Sequence, residues 1–215
     1  MCGMSEPGLR ARKKARTRQV IADTAAHLFA ERGYEQVSVG DVARAAEVAE
    51  QTVYNYFRTK EQLVTDRDQQ IHERLCDLIL ARPAGVSAAA AVRDYILDTV
   101  AGIGTSPPEI WQGELGYLAA TSPTVHRLAL ELTERQAVAL AAAIRDTTPV
   151  SAEIATLQGM ALASVFSIII TEAGQRTRAG QTQRRIAEEL QPIISNVLNE
   201  LDRWLSAGTN DVLSP

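Results

Sequence analysis

Ser38-Val-Gly-Asp-Val-Ala-Arg-Ala-Ala-Glu-Val-Ala-Glu-Gln-Thr-Val-Tyr-Asn-Tyr-Phe-Arg-Thr-Lys-Glu-Gln-Leu63 is the stretch on which the fold turns. It reads as two short helices joined by a tight turn, with a further helix starting at Thr59. In the first helix Val42, Ala43 and Ala46 are small enough to let another helix approach, and Val48 sits in the turn as its apolar plug. The second helix carries Thr52, Tyr54, Asn55 and Tyr56, whose hydroxyls and amide a purely structural helix has little use for. Polar groups gathered on the second of two such helices suit an element that enters the DNA major groove.

Upstream, helical periodicity predicts a helix near Thr17–Arg32 that buries Ile21, Ala25, Leu28 and Phe29, with Gly33 closing it in the left-handed conformation. Ser38 with Asp41 forms an acidic variant of the capping box, and Thr59 with Gln62 is placed to cap the next helix. Downstream breaks fall at Arg82-Pro83-Ala84-Gly85, Gly102–Pro108, Ser122-Pro123, Thr147-Thr148-Pro149 and Gly174–Gln181. Ser106 with Glu109 is another capping box, with Pro107 at the first helical position. The outcome is an all-α chain of about nine helices, without a convincing strand pair or an internal repeat.

Two C-terminal segments stand apart. Ala152–Ala173 is apolar on nearly every side, which predicts burial all round. Ile186, Leu190, Ile193, Ile194, Val197, Leu198, Leu201, Trp204 and Leu205 repeat at helical spacing, with Pro192 inside the stripe and expected to kink or break it. Residues 152–173 and 182–205 are therefore expected to form either ordinary core or a homodimer interface of two helices per subunit.

The 215 residues carry a formal charge of −4, but unevenly. Residues 1–60 hold ten Lys/Arg against seven Asp/Glu, whereas 61–215 hold twelve against nineteen. Six of the nine residues Arg10–Arg18 are basic, read as a flexible arm that also suits a DNA backbone, since backbone attraction needs charge and not order. Cys2 and Cys76 cannot build a disulfide framework, and the start lacks an apolar signal core. No run reaches the roughly 18 apolar residues of a membrane span. A cytoplasmic protein is expected.

The segment Thr17–Leu63 resembles the DNA-binding domain of TetR (tetracycline-repressor-like) transcriptional regulators. The resemblance rests on Gly33-Tyr34, Ser38, Val42-Ala43, Ala46, Thr52-Val53-Tyr54-Asn55-Tyr56-Phe57 and Lys60-Glu61-Gln62-Leu63, in that order. Three positions depart from the family pattern: Glu47 and Gln51 stand where glycine is common, and Ala49 where serine usually caps the second helix. The resemblance implies a basic flexible arm over 1–16, a helix-turn-helix domain over 17–62, a helical ligand-binding and dimerisation domain over 63–207, and a tail over 208–215. It further implies a ligand-responsive regulator, in all expectation a repressor, that binds a palindromic operator as a homodimer and is released by a small molecule. A DNA-binding architectural or regulatory protein without an effector is the alternative.

On this reading Arg18, Ser38, Glu50, Gln51, Thr52, Tyr54, Asn55, Tyr56 and Lys60 form the DNA-binding set. Thr52, Tyr54, Tyr56 and Lys60 make the phosphate clamp; Lys60 opens a helix, where the positive dipole disfavours a cation unless a phosphate is also present. Gln51 and Asn55 can pair bidentately with adenine. Glu50 either accepts from a cytosine amine or only reduces non-specific binding. For the effector, Trp111, Glu114, Leu115 and Leu118 share about a 100° arc of a helix beginning near Pro107, and Tyr95, Tyr117 and Phe166 are further lining candidates. No catalytic triad, zinc motif or phosphate-cradling glycine loop is legible, so neither enzyme activity, cofactor nor metal is expected. His72 and Cys76 lie one turn apart but fall off the Ile71/Leu75/Leu78 stripe and are assigned to helix surface or pocket edge.

Overall fold

The computed structural model describes residues 9–105 and 114–210. Nine helices lie within them, and no strand: α1 Leu9–Arg32, α2 Val39–Ala45, α3 Glu50–Tyr56, α4 Lys60–Leu80, α5 Ala88–Ile103, α6 Leu115–Thr121, α7 Pro123–Thr147, α8 Ala152–Arg178 and α9 Gln183–Asn210. The chain is all-α. The Ser106/Glu109 box and Trp111 lie outside the described residues.

The head is built by local signals. Gly33, at φ +81°, ends α1 by donating its N–H to Phe29 O at 2.9 Å. Ser38 caps α2 reciprocally: Asp41 N donates to Ser38 Oγ and Ser38 N to Asp41 Oδ2. The Ser38 hydroxyl, donating to Asp41 Oδ2 at 2.6 Å, and then the Ser38 N–H, with Arg44 beside them, hold the Asp41 carboxyl down at about 2. Ala49 starts α3 without a side-chain cap. Thr59 starts α4 without one too, and Gln62 instead accepts from Arg58 N at 2.7 Å. Ile21, Ala25, Phe29, Val42, Val53 and Phe57 close the head core, which continues without a break into Leu115, Leu118 and Val125 of α6 and α7.

The body is a second core in which α5 packs on α9 and α7 on α8. Here three expectations change. First, α1 begins at Leu9, so the basic run expected as a flexible arm is helical from that residue. Second, α9 runs through Pro192 as one helix. Ile186, Leu190, Ile194 and Leu198 are each 0% exposed in the body core, while Pro192 lies on the solvent side. Third, α8 is buried on one side only: Leu162, Ala163, Phe166 and Ile169 face inward, whereas Leu157 and Met160 are each 53% exposed. Among the described residues α8 is the one helix that length and composition would allow across a membrane; its inward side packs on α6, α7 and α9.

Glycine makes the tightest of these contacts possible. A Cβ built on Gly159 of α8 would lie 2.5 Å from Ala137 O and 2.7 Å from Ala141 N of α7. The two backbones are in direct contact there.

Candidate nucleic-acid interface and ligand cleft

Helix α3 keeps Val53 inside and presents Gln51, Tyr54 and Asn55 outside, with Thr52 and Tyr56 half-buried beside them. Gln51 Nε2 and Asn55 Oδ1 meet at 3.3 Å, so the two amides expected to read bases share one exposed face. The Glu50 carboxylate has a more local role: its Oε2 lies over the first turn of α2, 3.3 Å from where a Gly40 Cβ would stand. An anion is favourable at that helix end. Ser38, exposed, spends its hydroxyl on the α2 cap.

Two expected DNA-binding residues, Lys60 of the phosphate clamp and Arg18, have internal partners. Lys60 donates to Tyr34 O and sits 4.1 Å from the Tyr34 ring centroid; burial lowers its pKa. The ammonium is thus tied to the α1–α2 loop. Burial first, and the Glu61 carboxylate next, push the Tyr34 phenol up. Arg18 ion-pairs with Asp66 of α4, donates to Tyr56 O at 3.0 Å and stacks over the Phe57 ring at 4.6 Å. It fastens the recognition helix to α1 and α4. Turn residue Glu47 adopts φ +54°, the left-handed region that a glycine would occupy without strain.

Head and body touch directly as well: Ser122, at the start of α7, donates to the Glu35 carboxylate, which lowers that carboxyl's pKa.

Between α4, α5, α6 and α8 lies a cleft of about 260 Å³. Val64, Ile71, Ile103, Leu115, Phe166 and Ile169 make it apolar, and Asp68, Thr99 and Glu114 supply its polar groups. Of the expected lining residues, Glu114 and Phe166 meet here; Tyr95 packs against the body core and Tyr117 against the head core. Glu114 is the N-cap of α6, at φ −89° and ψ 165°, rather than a residue inside a helix. Asp68 was legible, since it shares α4's inward stripe with Val64, Ile71 and Leu75 at helical spacing.

His72 and Cys76 correct another expectation. The His72 ring meets Phe166 edge-on at 6.3 Å, and burial, with Arg135 nearby, lowers its pKa to about 4. Cys76 packs against the body core, and burial raises its thiol pKa. No group of three or more His, Cys, Asp or Glu among the described residues is arranged to hold a metal.

The apolar surface left uncovered also differs from expectation. Most of the α9 stripe is spent on the body core, leaving Ile193 and Trp204 exposed, whereas α7 exposes Leu130 and Val138 and α8 exposes Ile154, Leu157 and Met160. A groove of about 640 Å³ runs between these two helices.

Residues 21–66 match the model of bacterial regulatory proteins of the tetR family. The chain is 28% identical over 151 residues to the transcriptional regulator TcmR of Streptomyces glaucescens, covering 70% of this chain and 62% of TcmR. It is 36% identical over 62 residues to DhaS, the dhaKLM operon transcriptional activator of Lactococcus lactis, covering 29% of this chain and 33% of DhaS. The chain thus matches less than two-thirds of the length of either relative. Its fold is similar to that of NalD, the secondary repressor of the MexAB-OprM multidrug efflux pump in Pseudomonas aeruginosa, at TM-score 0.52 and 18% identity, covering 86% of this chain and 97% of NalD. With the ordered motif of residues 33–63 set in a helix-turn-helix head on an all-helical body, residues 21–66 are the segment this chain shares with the tetR family of bacterial regulatory proteins.

Proposed function

We propose that the protein is a cytoplasmic, sequence-specific DNA-binding transcriptional regulator that acts as a homodimer on a palindromic operator and is released from it by a small molecule. The observation that carries the DNA half is the exposed pair Gln51 and Asn55 on α3, flanked by Tyr54. Amides in that position can read adenine edges, and the tyrosine hydroxyl can reach a phosphate. Gln51→Ala should change the preferred sequence, whereas Tyr54→Phe should weaken all duplexes alike. Selection from a randomised duplex library tests this; recovery of no enriched palindrome at near-physiological salt refutes it.

Dimerisation through α7 and α8 is supported by Leu130, Val138, Leu157 and Met160, each more than half exposed in one chain. Two heads must be held at half-sites about 34–36 Å apart, which a fixed two-fold interface provides. Met160→Arg should leave the subunit folded and give a 23.3 kDa species in sedimentation. Arginine at Ile194 or Leu198, both 0% exposed, should unfold the subunit instead.

The effector reading rests on the cleft. Two carboxylates among apolar walls favour a small cationic or hydrogen-bond-donating molecule with an apolar body. Because α4 lines the cleft and also carries Asp66 under the recognition helix, a ligand that favours a shifted α4 would lower DNA affinity. This makes repression relieved by ligand the reading we adopt. Thermal shift against cationic amphiphiles, followed by DNA competition, tests it; a stabilising ligand that leaves DNA affinity unchanged refutes the coupling.

A further inference from the structure

The first turns of α1 hold a cationic surface that the recognition helix does not account for. Arg10, Arg12, Lys13, Lys14 and Arg16 are all exposed, and the first turn contains no acidic residue. A helix is a poor place for them. Its N-terminal dipole is positive, and Arg10/Lys14 and Arg12/Arg16 are like-charge pairs four residues apart.

Its position points to a partner. Arg12, Lys13, Arg16 and Val20 line one depression of about 630 Å³ whose opposite wall is Val48, the turn residue just before α3. The depression combines the apolar Val20, Ile21 and Val48 with the cationic Arg12, Lys13 and Arg16, which fits the apolar sugar edge and the anionic phosphates of a nucleic-acid backbone. It also adjoins a negative region, since Glu47 lies in the same turn and Glu50 opens α3. These carboxylates would repel a phosphate backbone near that end of the recognition helix, and the basic stripe offsets them.

We propose that the helical extension Leu9–Arg16 is a second DNA-binding element that grips the sugar–phosphate backbone beside the half-site, through Arg12, Lys13 and Arg16. This rests on the DNA-binding reading above and adds to it a sequence-independent contact. Arg12 to Arg16 rise about 6 Å along the helix, close to the two base-pair steps of about 3.4 Å that separate the outer two of three successive phosphates on one strand, so three phosphates are within reach of the stripe.

Each phosphate neutralised adds about 0.9 to the slope of log affinity against log salt. The triple variant Arg12→Ala/Lys13→Ala/Arg16→Ala should therefore lower that slope by about 2.7. Raising salt from about 50 to about 200 mM should then weaken the wild type about 40-fold more than the variant. The substitutions fall on exposed positions of a helix and alanine favours helix, so melting temperature should hold or rise while affinity falls. Arg12→Lys/Arg16→Lys, which keeps the charge, should restore the slope.

The measurement is fluorescence-anisotropy titration of the full-length protein against a mixed-sequence duplex across a salt series, with Gln51→Ala/Asn55→Ala in parallel. A reduced slope in the triple variant and an unchanged slope in the amide variant support the proposal. A triple variant with the wild-type slope overturns it, and leaves the recognition-helix reading standing if library selection still yields a palindrome. A wild-type protein with no salt-dependent affinity for any duplex overturns both.

Discussion

Replacing Gly159 with alanine tests the packing that positions everything else in the body. The added Cβ would stand 2.5 Å from Ala137 O, which is 0.9 Å inside the 3.4 Å of ordinary contact. Ala141 N at 2.7 Å and Ala141 Cβ at 2.9 Å close off the neighbouring directions. Two of these three atoms are backbone, so no rotamer change relieves the clash and α7 and α8 must part. A separation of 0.5–1 Å forfeits about a quarter to a half of each dispersion contact along the seam. Overpacking of this kind costs about 1–3 kcal/mol, set against a gain of about 1 kcal/mol from alanine's helix propensity. Because the clash is with backbone, we take the upper part of that range and expect a net loss of about 1–2 kcal/mol. That corresponds to about 2–8 °C in melting temperature for a chain of this length. Gly102→Ala is the internal control: its Cβ would meet nothing within 4 Å, so the same chemistry should be neutral or stabilising. Thermal denaturation followed by circular dichroism reads both. If Gly159→Ala is as stable as the wild type, the close approach of α7 and α8 is wrong.

Three further perturbations probe the head and the cleft. Glu47→Gly should be more stable than Glu47→Ala by about 0.5–1 kcal/mol, because glycine accepts φ +54° and alanine keeps the left-handed strain; denaturant midpoints showing alanine ahead would contradict the conformation. Asp66→Asn removes the charge that holds Arg18, so it should loosen α3 and lower DNA affinity at least several-fold at a residue only 10% exposed, read by titration of the purified variant. His72 has a folded pKa of about 4 against 6.5 unfolded, so between those values the unfolded chain binds more protons. Stability should therefore fall as pH drops from about 6.5 toward 4, and His72→Phe should flatten that fall in melting curves across the window.

The head was legible because its signals are local. Gly33, the Ser38/Asp41 box and the uncapped Ala49 each act within four residues, and the structure uses all three as the sequence suggests. The bodies of the long helices were legible from periodicity for the same reason. Pro192 misled because its cost is local whereas the force opposing it is not. Ile186 and Leu190 before it and Ile194 and Leu198 after it are all fully buried on one face, and that burial outweighs one lost backbone bond. The uncovered apolar face was illegible in principle. Both α8 and α9 carry apolar stripes, and which stripe the chain covers itself depends on where α7 and α5 pack, the latter more than forty residues before either helix in sequence.

The candidate site follows the same division, and α4 shows why. Val64, Asp68 and Ile71 recur at helical spacing and line the cleft, a pattern open to a reader of sequence. Asp66 lies two residues from Val64, about 200° around the same helix, and so points away from the cleft toward Arg18. Arg18 in turn holds Tyr56 O and the Phe57 ring at the end of the recognition helix. One helix therefore presents its two sides to two different partners, so in the proposed mechanism a shift imposed on the cleft side would reach α3 through the Arg18–Asp66 pair and through the head core that Leu63 and Val64 join. The requirement is energetic as well as geometric. A tenfold fall in DNA affinity needs about 1.4 kcal/mol of preference for the shifted state, and a ligand that binds both states equally moves nothing however tightly it binds. In the proposed mechanism the ion pair between a 10%-exposed aspartate and a 38%-exposed arginine, bonded also to a backbone carbonyl, is the contact that would carry such a preference from the cleft to the head.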